Sequence, residues 1–172
     1  MSTLEELKKT VFSNEFTTID AITAKPGPNG QHILVCSDMS PDSFEALKFA
    51  IQKLSHPNDV LTVFVVLDPR DLYKADTDRE TYRQNIMVDL HKKVKELLIT
   101  FEKSLIHRVN AEWGEDARNV ILNKIKQGYG MVVVGSRGMS ALEGIVVGSV
   151  STFLLNQSPV PVIVVKRPID KH

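Results

Sequence analysis

Gly135-Ser136-Arg137-Gly138, then nine residues, then Gly148-Ser149, is the spacing in this chain best suited to chemistry. It opens out of the apolar run Met131-Val132-Val133-Val134 and leads into Val150-Ser151-Thr152-Phe153-Leu154-Leu155. A strand, a glycine-punctuated loop and a helix start together present backbone N–H groups to a phosphate, because the first amides of a helix have no internal acceptor. Glycine at these points spares a Cβ, gives access to positive φ and lets a ligand lie against the main chain. Ser149 adds a hydroxyl and an amide in the first helical turn. Arg137, set between two glycines, can offer two parallel N–H donors to phosphate oxygens. Each residue also has a structural alternative. Gly135 and Gly138 could simply shape a turn, Gly148 could let a helix approach the sheet, and Arg137 could be a solvated loop charge.

The elements that must position this loop can be read from periodicity. Ile33-Leu34-Val35-Cys36 is a short, wholly apolar strand of the kind covered on both faces. Ser40-Pro41 supplies an N-cap and a first-turn proline, and Phe44, Leu47, Ile51 and Leu54 mark one face of the helix that follows. Val60 to Leu67 reads as the second strand, and Asp68 to Thr77 as a polar loop. A long helix carries Tyr82, Ile86, Leu90, Val94, Leu97, Phe101 and Leu105 on one stripe. Val109, Ala111 and Trp113 alternate as a third strand, and Ala117, Val120, Ile121 and Ile125 line a helix closed by Gly128 or Gly130. Met131–Val134 is the fourth strand, residues 149–157 the last helix and Val160–Val165 the fifth strand. Strands separated by helices imply parallel pairing with right-handed crossovers, hence a single-domain α/β sandwich of three layers around a five-stranded parallel sheet. In such sheets ligands bind beyond the carboxyl ends of the strands where the strand order reverses, and the glycine loop lies at that end. Residues 1–30 read as an extension before a domain spanning 31–172, with Leu4, Leu7, Val11 and Phe12 at helical spacing and Ser2 and Glu5 able to form a capping box.

Other chemistries lack their residues. A dinucleotide fingerprint needs glycines after the first strand, where the chain reads Ser37-Asp38-Met39-Ser40-Pro41. A Walker A loop needs a lysine before the hydroxyl residue, and none precedes Ser149. The five histidines, His32, His56, His91, His107 and His172, are scattered without metal-ligand spacing. Rapid phosphoryl transfer requires a positioned nucleophile and a cation cluster, and only Arg137 stands near the loop. No catalytic residue is assigned. Cys36, inside an apolar strand, reads as a buried inert thiol.

The Gly-x2-Gly-x9-Gly-Ser spacing, followed by a helix and Pro159-Val160-Pro161-Val162-Ile163-Val164-Val165, resembles the universal stress protein family, specifically its ATP-binding branch, over about residues 31 to 167. The resemblance implies a flavodoxin-like, adenine-nucleotide-hydrolase-like fold with the nucleoside over the ends of the first two strands and the phosphates in the glycine loop. It implies that Asp38 contacts ribose or base, that Cys36 and Ser37 flank the nucleoside, and that the Val66 backbone reads the adenine edge. Val134 would lie against the nucleoside, Gly135 and Gly138 near sugar and phosphates, and Gly148, Ser149 and Val150 under the β- and γ-phosphates. Asp38 also has a bland alternative as a helix cap. The family's acid entering the fourth strand is replaced by Gly130-Met131.

Twenty-one basic and 21 acidic residues cancel, which removes any overall field for nucleic acid or an anionic membrane. No apolar run reaches the roughly 18 to 20 residues that span a bilayer. Met1 to Lys9 carries acids at once and no apolar h-region, and a single cysteine suits a reducing compartment, so the expectation is a cytoplasmic protein. The function expected is a stress-response regulator that binds ATP, or AMP or another adenine nucleotide, with Mg2+ on the phosphates, as a conformational ligand. Two rivals remain: a slow ATPase or autophosphorylating protein using Ser149 or Ser151, and a nucleotide-free interaction scaffold. Val160–Val165, apolar on both faces at a sheet edge, is expected to pair with a second copy in a homodimer, unless the extension covers it.

Overall fold

The computed structural model describes residues 24–138 and 147–168. The helix and capping box expected at the N-terminus lie outside the described residues. Five strands form one parallel sheet: β1 (His32–Ser37), β2 (Val60–Leu67), β3 (Ile106–Trp113), β4 (Met131–Gly135) and β5 (Val162–Val165). Their order is β3-β2-β1-β4-β5, so the direction of winding reverses between β1 and β4. The register sets Ile33 beside Met131 and Val35 beside Val133 at that junction.

The pleat divides the core in two. Ile33, Val35, Leu61, Val63, Val109 and Val133 face α1 (Pro41–Phe49), which runs on as a π-helical turn over Ala50–Leu54, and α3 (Arg79–Thr100). Leu34, Cys36, Phe64, Val132 and Val134 face α4 (Ala117–Ile125) and α5 (Ser149–Gln157). These are the three layers expected of alternating strands and helices, and the apolar stretches Ile33–Cys36 of β1 and Val132–Val134 of β4 are buried on both faces as a central parallel pair requires.

Local chemistry accounts for most boundaries. The Ser40 side chain accepts from the Ser43 amide with Pro41 in the first turn, as expected from sequence. Asp78 and Asp116 cap α3 and α4 in the same way. Gly128, at φ 106, ends the segment after α4, where a left-handed residue lets the chain turn back.

Three expectations are corrected. The loop from Asp68 to Thr77 contains α2 (Pro69–Ala75), capped by the Asp68 carboxylate on the Arg70 amide and stopped by Asp76 at φ 44. Its Asp-Pro start is the same signal as Ser40-Pro41, but no residue of α2 is buried, so there was no apolar stripe to read. The long helix ends at Thr100, with Glu102 at φ 51, so Leu105 packs on the core from a loop rather than from the helix. The fifth strand starts at Val162, two residues later than expected. The Ser158 hydroxyl takes the Val160 amide and Pro161 has no N–H to give the ladder.

Candidate functional site

β1 and β4 diverge at their carboxyl ends, and a cavity of about 280 Å3 opens there between the sheet, α4 and the start of α5. Its wall contains every residue the sequence singled out: Cys36, Ser37 and Asp38 from the end of β1, Val66 from β2, Val134 and Gly135 from β4, Arg137 and Gly138 from the loop, and Gly148, Ser149 and Val150 at the start of α5. Ser43, Ala117 and Ile121 also line it and were not singled out, as does Ser151, which the sequence raised only as a candidate for autophosphorylation. Ala117 and Ile121 look like any core stripe of a helix, and their apolar faces make the cavity's floor a slot for a flat apolar group.

The end of β1 is a tightly bonded turn. The Asp38 carboxylate accepts the Ser40 amide at 3.0 Å, and Ser37 Oγ accepts the Met39 amide at 3.1 Å. Met39 sits at φ 65, a conformation unusual for a side chain of its size, held by those two bonds beside the cavity. The Asp38 cap is an Asx turn at Ser40, while Ser40 itself caps α1. Burial pushes the Cys36 thiol far up, so it is a neutral wall atom and no nucleophile.

On the other side, the Gly148 amide donates to the Ser136 carbonyl at 2.6 Å, closing the loop at its base. Gly148 makes no side-chain cap for α5, whereas Ser40, Asp68, Asp78 and Asp116 each cap their helices. The amides of Ser149 and Val150 therefore open on the cavity with the positive end of the helix dipole behind them. Ser151 Oγ donates to the Gly135 carbonyl at 2.7 Å and is buried, while Ser149 is exposed.

The access to positive φ expected of these glycines is not used. None of Gly135, Gly138 and Gly148 has positive φ; among the described glycines only Gly128 does. At Gly135 a Cβ would stand 2.7 Å from the Asp42 carbonyl carbon and 2.9 Å from the Ser43 amide, so this glycine lets β4 pass against the first turn of α1. At Gly138 it would meet Asp38 Oδ2 at 2.6 Å, which ties the glycine loop to the β1 turn. At Gly148 the nearest atom is the Ser136 carbonyl oxygen at 3.4 Å, an ordinary contact, so the protein itself leaves room there.

Arg137 is neither a solvated loop charge nor a side chain aimed only at the cavity. Its Nε lies 3.5 Å from Asp42, a buried carboxylate that also accepts from Ser136 Oγ at 2.9 Å and faces Arg167 Nε at 3.5 Å. Asp42 thus joins α1, the glycine loop and the segment after β5. Sequence reasoning missed it, since an acid in a first helical turn reads as dipole chemistry and its partner Ser136 is 94 residues away. Among the described residues no group of histidines, cysteines and carboxylates is arranged to hold a metal ion.

Comparison with known proteins agrees with this architecture. An uncharacterised protein of Schizosaccharomyces pombe is 33% identical over 140 residues, covering 78% of this chain, which spans 23% of that relative's length. The universal stress protein UspA from Lactobacillus plantarum superposes with a TM-score of 0.62 at 20% identity, covering 81% of this chain and 99% of that one. A universal stress protein family protein from Arabidopsis thaliana with AMP bound superposes with a TM-score of 0.57 at 17% identity, covering 81% and 94%. The model of the universal stress protein family matches residues 30–166, from the turn before β1 to the residue after β5, and the chain belongs to that family.

Proposed function

We propose that this chain binds ATP in the cavity between β1, β4 and α5 and uses it as a conformational ligand in a stress response. The observation that carries the reading is the convergence of residues 36–38, 66, 134–138 and 148–150 on one cavity at the reversal of strand order, beside a helix start with no side-chain cap. The AMP held by the Arabidopsis relative supports the adenine-nucleotide class. In this reading the base slides between Val66, Val134 and Ile121, Asp38 meets the ribose, and the phosphates lie over Gly138 and the amides of Ser149 and Val150. Mg2+ would travel with the phosphates, since among the described residues the charged side chains on the cavity wall are Asp38 and Arg137.

The same wall argues against fast turnover. Among the described residues it offers hydroxyls, one guanidinium and the Asp38 carboxylate, which already accepts the Ser40 amide, with no histidine to take a proton from water. A route from occupancy to output runs through β5: the Ser136 amide donates to the Val165 carbonyl at 2.8 Å, and Asp42 holds both Arg137 and Arg167. β5 lies at the sheet edge, where a second copy would satisfy its free backbone groups in a cytoplasmic homodimer.

The test is to purify the chain without added nucleotide, denature it and identify what it releases by mass spectrometry, then titrate ATP, AMP and adenosine by calorimetry. The expected result is an adenine nucleotide released, with affinity rising from adenosine to ATP. Empty protein that gives no heat with millimolar ATP overturns the reading in favour of a nucleotide-free scaffold.

A further inference from the structure

At the opposite end of the sheet, under the amino ends of β1 and β3, lies a second cavity of about 580 Å3. Its wall includes Lys25, His32, Arg108 and Gln127, with the main chain of Gly30 and Gly128. We propose that this cavity is a binding site for a phosphate group, held by the Arg108 guanidinium and the Lys25 ammonium.

Three observations converge on it. First, Arg108 has spare donors. One of its terminal nitrogens donates to the Ala24 carbonyl, which leaves the guanidinium anchored, but its Nε–H is buried and has no acceptor among the described residues. A buried guanidinium N–H without an acceptor costs free energy that an incoming oxyanion would recover. Second, the site is cationic and unbalanced. Among the described residues neither Lys25 nor Arg108 is paired with a carboxylate, whereas the nearby Lys124 is committed to Glu112 at 2.9 Å. Two unpaired positive charges match the near-dianionic charge of a phosphate monoester at neutral pH. A guanidinium offers its planar fork to two phosphate oxygens while an ammonium acts as a point charge.

Third, the wall is built rather than incidental. His32, Thr62 and Arg108 come from three adjacent strands on the α4 side of the sheet, with Thr62 and Arg108 in register. His32 Nε2 bonds Thr62 Oγ1 at 2.9 Å and its ring rests 4.2 Å from the Tyr129 ring, so the imidazole is fixed in place. Burial, with Arg108 and then Lys124, lowers His32 to about 4, so at neutral pH it adds no charge and can still donate a hydrogen bond. The segment Ala24–Gly30 that closes the cavity is itself tied down, by Gly27 on the Asn58 carbonyl at 2.8 Å and Asn58 on the Pro28 carbonyl at 2.9 Å. The volume exceeds that of a bare phosphate and falls within the range of small-molecule sites.

The experiment titrates the whole chain with inorganic phosphate at pH 7.5 and constant ionic strength, following the Arg108 Nε–H and His32 ring resonances by NMR. Glycerol phosphate and acetate serve as separate arms. The expected result is a saturable shift of both resonances, weakened at least tenfold in Arg108→Gln (read at His32) and severalfold in the exposed Lys25→Gln, and retained in Gly148→Val. Tighter binding of glycerol phosphate assigns a phosphate monoester as the ligand, and equal binding assigns free phosphate. A linear, unsaturating shift, a shift unchanged in Arg108→Gln, acetate binding as tightly as phosphate, or loss of the shift in Gly148→Val would each overturn the proposal. Circular dichroism of both charge variants separates loss of the site from loss of the fold.

Discussion

Gly148 and Gly135 sit 13 residues apart on the same cavity wall, yet replacing them should have opposite consequences. Gly148 is at φ −73, ψ 165, a region a β-branched residue adopts without strain, and an added Cβ finds its nearest atom at 3.4 Å. Gly148→Val should therefore cost the fold no more than about 1 kcal/mol, from the poorer cap. For a chain of this size that lowers Tm by about 2–4 °C. The isopropyl group, however, would stand over the Ser149 and Val150 amides, where the proposed phosphates lie. Loss of a partly buried anion interaction at a helix start is worth up to ~2 kcal/mol, which is about thirty-fold in affinity. Gly135→Ala reverses the pattern. Its Cβ would be forced to 2.7–2.9 Å from backbone atoms of Asp42 and Ser43, which cannot rotate away. Overpacking of that kind costs about 1–3 kcal/mol, hence about 2–12 °C in Tm. Scanning calorimetry and ATP titration on both variants, with adenosine as the phosphate-free control, check the pair. ATP affinity within threefold of wild type in Gly148→Val refutes the phosphate placement. An unchanged Tm in Gly135→Ala refutes the packing argument.

Val162→Asp with Val164→Asp, on the face of β5 that packs toward α4 and α5, should convert a dimer measured by light scattering into monomer or insoluble protein; a wild-type monomer at micromolar concentration would sink the edge-pairing claim. Steady-state ATP hydrolysis should stay far below the ~1–100 s−1 of kinases, and single-turnover assays with labelled ATP should leave no phosphate on Ser151, whose hydroxyl is held by Gly135; a rate in that range that disappears in Gly148→Val would establish an enzyme. Acid should destabilise the fold through its histidines. His32 and His91 are both lowered to about 4, by burial first and then by Arg108 and by His107 respectively, and His107 is lowered by burial. Between their unfolded value near 6.5 and about 4 the unfolded chain binds more protons, so stability present above pH 6.5 is lost as the pH falls, by up to about 1.4 kcal/mol per unit for each group. Tm measured from pH 7 to 4.5 should fall, and His91→Gln should flatten the fall; a flat profile in the wild type would refute the assignment.

Read alone, the residues determined which segments become strands and helices wherever an apolar pattern reached the core. Ile33–Cys36 and Met131–Val134 are wholly apolar because central parallel strands are covered twice, and Ser40-Pro41 starts a helix by chemistry contained in four residues. The glycine spacing was legible for the same reason: a strand, loop and helix start are contiguous in the chain. α2 escaped because it buries no residue and so left no periodicity. The tertiary structure decided what contiguous pattern cannot encode. Only the packing of β4 on α1 shows that Gly135 makes room for backbone. Asp42 acquires Ser136, Arg137 and Arg167 as partners only once β1, β4 and β5 lie side by side. Periodicity is a local record of which face is buried; pairings across 28 to 95 residues are set by the tertiary fold, and the cation-lined cavity at Arg108 is assembled only when the register of the sheet brings His32 and Arg108 to the same face and the Ala24–Gly30 segment closes over them.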